Sequence, residues 1–132
     1  MLIKCWSAIT TLIFSLIIVT PLCGFLFQCG CDWPWSGLDT RCNFYKPDTE
    51  HKCPWCASMI IGLLSVGTAA IAGLWTSIIP ISLFSRQHPV NQVLIRTLTG
   101  ITVFVVVATV TASISALWQT YPMMVTIYKT MG

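Results

Sequence analysis

The chain has 132 residues, of which 55% are hydrophobic and only 8% charged, and its net charge is +3. That length fits one domain, and so low a charge content, against about 25% in soluble chains, cannot cover a soluble surface. The seven basic residues are scattered singly, so no basic run points to nucleic-acid binding.

The first predicted element runs from about residue 5 to residue 27, behind Lys4 and through the apolar run Leu12–Val19. At 1.5 Å per residue it is long enough for a hydrocarbon core of about 30 Å. Thr20-Pro21-Leu22 before Cys23 lacks the small residues of a cleavage site, so the segment reads as a retained signal anchor, its last turn bent by Pro21. A polar loop follows, residues 28–56, which holds five of the seven cysteines. The second span is predicted over residues 57–84, uncharged throughout, with Pro80 near its far end. A short loop, residues 85–96, carries Arg86, His88, Pro89, Asn91 and Arg96. The third span is predicted over residues 97–118, ended by Tyr121-Pro122, with a short interfacial tail behind it. The expected fold is an all-α membrane protein of three transmembrane helices, residues 1–132 forming a single integral membrane domain with a Cys/Trp-rich extracytoplasmic loop between helices one and two.

Loop charges alone do not orient the chain, since three basic residues fall on one side and four on the other. A dense cysteine cluster suits an oxidising compartment. The expectation is therefore a cytoplasmic N-terminus with the cysteine loop and C-terminus extracytoplasmic, in a membrane such as the bacterial inner membrane. Trp33, Trp35, Trp55, Trp118 and Tyr121 then fall at the outer boundary, as an interfacial aromatic belt.

The second span carries a small-residue stripe, Ser58, Gly62, Ser65, Ala69, Gly73 and Ser77, in steps of three and four that share one helix face. Small residues let helices approach closely in lipid. The stripe is expected to pack on the third span, through a face of Thr102, Thr109, Ser113 and Ala116, or else to dock a helix of another protein. The hydroxyls of the third span can bond to carbonyls one turn back. No Asp, Glu, Lys, Arg or His lies deep in a span, which argues against a proton or ion pathway.

Three chemistries fit the cysteines. Cys23, Cys29, Cys31, Cys42, Cys53 and Cys56 are an even set of six, able to form three disulfides that replace the core this loop lacks. Alternatively, the C-x-C of Cys29 and Cys31 with the C-x-x-C of Cys53 and Cys56 supplies four thiolates for zinc or copper, with Cys42 and His51 in reserve. Finally, Cys53 at the start of the second helix could be a reactive thiolate for thiol–disulfide exchange. Cys53-Pro-Trp-Cys56 resembles the C-P-x-C knuckle of rubredoxins and zinc ribbons, with Ala57 where glycine is usual. It is also similar to the C-P-x-C pair of thioredoxin-like periplasmic oxidants, and the chain bears comparison with membrane-embedded oxidases that pass electrons to quinone. Cys5 stands apart as a free thiol.

No catalytic constellation is legible, which favours a non-enzyme. The expectation is a small accessory or structural subunit of a larger membrane protein complex, its stapled loop touching a partner. The alternative is a metal-handling or thiol-disulfide redox membrane protein using the C-x-C and C-P-W-C cysteines.

Overall fold

The computed structural model describes residues 2–30, 46–48, 52–79 and 88–121. Four helices follow in order: α1 Leu2–Phe27, α2 Pro54–Ala57, α3 Met59–Ile78 and α4 Pro89–Trp118. Helices α1, α3 and α4 are each long and apolar enough to cross a membrane. The protein is an all-α integral membrane protein, and its outward faces carry large apolar side chains such as Leu12, Phe14, Leu63, Ile71, Val106 and Ile114, suited to the lipid bilayer.

The boundaries differ from the sequence reading in three places, each with a local cause. Helix α3 ends at Ile78, because Ile79 precedes Pro80 and takes the extended conformation (φ −59, ψ 130) that a following proline favours, and residues 80–84 of the expected span lie outside the described residues. Helix α4 starts eight residues before Thr97, with Pro89 in its first turn, where a missing N–H costs nothing. Its 30 residues make a rod of about 45 Å, so one end reaches beyond a hydrocarbon core of about 30 Å. The Cys53–Cys56 pair is not at the head of the second span. It lies on α2, a separate single turn divided from α3 by the extended Ser58 (φ −126, ψ 103). The dipole of a long helix therefore does not bear on Cys53.

The interior is built from small and hydroxyl residues. Helix α3 buries Ser65, Ala69, Gly73 and Ser77. Gly62 seats the first turn of α3 on α2, since a Cβ there would lie 2.6 Å from Trp55 O, and Ser58 is the break between the two helices. The face of α4 that meets α3 is not the expected one. Gly100, Phe104, Ala108 and Ala112 are buried with Ala116, whereas Thr102 is exposed and Thr109 and Ser113 are only half-buried. The reason is that Thr102, Thr109 and Ser113 donate to carbonyls four residues back in their own helix, so they need no partner across the interface. Closeness of approach selects the face instead. A Cβ on Gly73 would lie 2.8 Å from Gly100 O, and one on Gly100 would lie 2.8 Å from Gly73 O and 2.9 Å from Thr11 Cγ2.

Helix α1 completes the bundle through Ser7, Thr11 and Ser15, all buried. Among the described residues two hydroxyl pairs cross between helices: Thr10 with Thr97 at 2.8 Å, and Ser65 donating to Thr111 at 2.6 Å. At the same end as the Thr10–Thr97 pair, Arg96 Nη1 donates to Ser77 O, Ile78 O and Ile79 O at 3.1–3.3 Å, satisfying the last carbonyls of α3. At the opposite end α4 closes in a Schellman turn. Tyr121 N donates to Ala116 O and Thr120 N to Leu117 O, with Thr120 in the left-handed region (φ 51).

Candidate metal centre

The end of the bundle closed by that Schellman turn is where the described cysteines gather. Helix α1 ends at Phe27, and the chain turns through Gln28 (φ 49) and Gly30 (φ 73), both in the left-handed region. Glycine takes that conformation freely, and glutamine does so at a cost. The turn returns Cys29 onto the last turns of α1. Its Sγ lies 3.6 Å from Cys23 O and 3.7 Å from Cys23 Sγ.

Cys53 arrives from the far side of the loop as the residue capping α2, with Pro54 opening that helix. Its Sγ lies 3.4 Å from Cys23 Sγ. The sulfurs of Cys23, Cys29 and Cys53 lie within 4.8 Å of one another, and the three residues are only 6%, 2% and 0% exposed.

Cys56 follows one turn later, its amide donating to Cys53 O at 3.0 Å. Its thiol hydrogen-bonds with Cys23 and Cys53, while Cys29 acts on it as a charge. It is half-buried and stands outside the group whose sulfurs share the 4.8 Å limit. The hydrogen bonds from Cys23 and then Cys53 pull the Cys56 thiol down to about 4, against burial, which raises it. The Cys53 thiol is lowered by Cys23, but contacts with Cys29 and Cys56 together with burial leave it raised.

An aromatic collar ties α2 to the ends of α1 and α4. Phe27 meets Trp55 edge-on at 5.3 Å and Tyr121 edge-on at 5.7 Å. Tyr121 Oη donates to Phe27 O at 2.8 Å, and Gln119 Nε2 donates to Pro54 O at 3.3 Å. Trp55 is therefore a core residue, 7% exposed, rather than the interfacial anchor expected. Its indole N–H is buried and has no hydrogen-bond partner among the described residues.

Of the four residues first assigned to a metal, Cys29, Cys53 and Cys56 come together here, while Cys31 lies outside the described residues. So do Cys42, His51, Trp33 and Trp35. The residue that the metal assignment missed is Cys23, read from sequence only as a disulfide candidate. The signal was present. Cys23 lies one turn before the end of α1, and Gly30, just past Cys29, marks a chain reversal. The five described cysteines, Cys5 included, carry no disulfide. Sulfurs at 3.4 and 3.7 Å are far from the roughly 2.05 Å of an S–S bond. They match the edge of a sulfur tetrahedron around zinc, about 3.8 Å for Zn–S bonds of about 2.3 Å. The donor set is soft, pre-gathered and shielded, as a thiophilic ion requires.

No protein-family model, no curated protein and no solved structure matches this chain.

Proposed function

We propose that this protein is a metal-handling membrane protein. It holds one thiophilic ion, zinc or Cu(I), on Cys23, Cys29, Cys53 and Cys56 at the membrane face where the ends of α1 and α4 meet α2. The observation that carries this reading is the convergence of three buried sulfurs within 4.8 Å, drawn from residues up to 30 apart in sequence. The proposed setting is a bacterial inner membrane, with the N-terminus cytoplasmic and the cluster on the extracytoplasmic face. There a bound ion keeps the thiolates from oxidising.

A second reading, a small accessory subunit of a larger membrane complex, is favoured by one observation. Among the described residues no Asp, Glu, Lys, Arg or His side chain is buried, which argues against a proton relay or an ion path through the described bundle. The small-residue stripe does not add to that reading, because Ser65, Ala69, Gly73 and Ser77 are buried within this chain.

The test is thiol protection. The protein is extracted in mild detergent and alkylated with a maleimide, with and without chelator or reductant, and the modified peptides are identified by mass. The metal reading expects Cys23, Cys29, Cys53 and Cys56 to become reactive on chelation alone. If they become reactive only on reduction, the cysteines are disulfide staples and the reading fails.

A further inference from the structure

The four thiols are not equivalent. Cys23, Cys29 and Cys53 are buried and mutually close. Cys56 is half-buried and stands outside the shared group. Two thiolates neutralise a divalent ion, and each further thiolate adds a negative charge whose burial is costly. A fourth thiolate is therefore best tolerated where water reaches it, and among these four positions that is Cys56.

We infer that the centre is a graded site, a three-thiolate nest of Cys23, Cys29 and Cys53 with Cys56 as a labile fourth ligand through which the ion enters and leaves. This rests on the metal-handling reading and names its mode: transfer rather than permanent structural retention. The exchange partner is a second soft thiolate approaching from the Cys56 side. In the exchange step the incoming sulfur forms a bond to the ion as the bond from Cys56 Sγ breaks. The incoming ligand arrives as a thiolate and Cys56 leaves as one, so no proton and no electron changes hands.

The Cys53–Cys56 spacing supports this directionality. Cys53 is held at the head of α2, where its carbonyl accepts from the amides of Cys56 and Ala57, and its side chain is fully buried. Cys56 sits on the short α2 turn, followed by exposed Ala57 and the extended Ser58. One thiol of the pair is fully buried and the other is partly open to solvent.

The experiment loads full-length protein in detergent with Zn²⁺ alone and measures metal per chain, then follows release to a colorimetric chelator. Wild type, Cys56→Ser, Cys56→Ala and Cys53→Ser are compared. Cys56→Ser and Cys56→Ala are expected to keep the ion but release it faster, by at least the ~10-fold that loss of even an outer partner of a metal ligand causes. Cys53→Ser is expected to bind none. Cys56 variants that lose the ion as fully as Cys53→Ser would show a closed site of four equal ligands. Variants that release it at the wild-type rate would show that Cys56 takes no part. Either result overturns the inference. A wild-type chain that binds no zinc and no Cu(I) would instead remove the metal-handling reading beneath it. As a readout without substitution, slow alkylation of the zinc-loaded wild type should modify Cys56 before Cys23, Cys29 and Cys53. Simultaneous modification of all four would also overturn the inference.

Discussion

Replacing Gly100 by alanine tests how this bundle is held together. The added Cβ would lie 2.8 Å from Gly73 O, 2.9 Å from Thr11 Cγ2 and 3.2 Å from Ser77 Cβ, so one methyl strikes both α3 and α1. The nearest of these atoms is a backbone carbonyl, which moves only if α3 moves. Overpacking of this kind costs about 1–3 kcal/mol, and with a rigid neighbour the upper value applies. The alanine returns up to about 1 kcal/mol of helix propensity, leaving a net loss near 2 kcal/mol. Gly67→Ala is the matched control, because a Cβ there meets nothing within 4 Å and keeps the propensity gain of up to about 1 kcal/mol. The two variants should thus differ by about 3 kcal/mol, a change of roughly a hundredfold in the folded-to-unfolded ratio. Reversible unfolding in mixed micelles, followed by circular dichroism, reads the difference. If the two alanine variants fall within the ~0.5 kcal/mol expected of uneventful surface changes, close glycine contact is not what joins α1, α3 and α4.

Three further outcomes follow from other parts of the structure. Thr120→Gly should stabilise the protein by about 1–2 kcal/mol, since a β-branched residue now occupies the left-handed position of the Schellman turn; a lower melting temperature in the same micelles would contradict this. Arg96→Ala should cost about 1.5–3 kcal/mol, the scale of hydrogen bonds from a charged donor, by leaving the final carbonyls of α3 unmet, and hydrogen exchange should quicken over the last turn of α3 alone. Phe27→Ala should cost about 3–5 kcal/mol, because its ring is 2% exposed and touches both Trp55 and Tyr121. In the same variant zinc release should quicken as the collar loosens, and unchanged release would separate the collar from the site.

The three spans were legible because a helix that crosses lipid must be apolar for its whole length, and the runs around Leu12–Val19, Ile60–Ile78 and Ile101–Val110 satisfy that without help from tertiary context. The ends were less legible. Pro89 was read as a loop residue, although proline in a first turn is a start signal for a helix. On α3 the buried small residues stood at clear helical spacing. Hydroxyls do not mark their partner face on α4, since Thr102, Thr109 and Ser113 are satisfied by their own backbone. What decided the face was the absence of a side chain at Gly100. The metal assignment followed nearness in sequence, C-x-C beside C-x-x-C. The structure's cluster depends on a reversal through Gln28 (φ 49) and Gly30 (φ 73) that brings Cys29 to Cys23; the glycine signals it, but the glutamine does not.

The central claim is that Cys23, Cys29, Cys53 and Cys56 hold a metal ion. The most direct measurement is metal content per chain in protein purified without added metal or chelator, joined to X-ray absorption at the edge of whichever metal is found. The account expects close to one ion of zinc or copper per chain, with a first shell of sulfur at about 2.3 Å, and its loss in Cys53→Ser. A metal-free protein whose cluster cysteines are paired as disulfides, or an ion surrounded by oxygen and nitrogen, would contradict it.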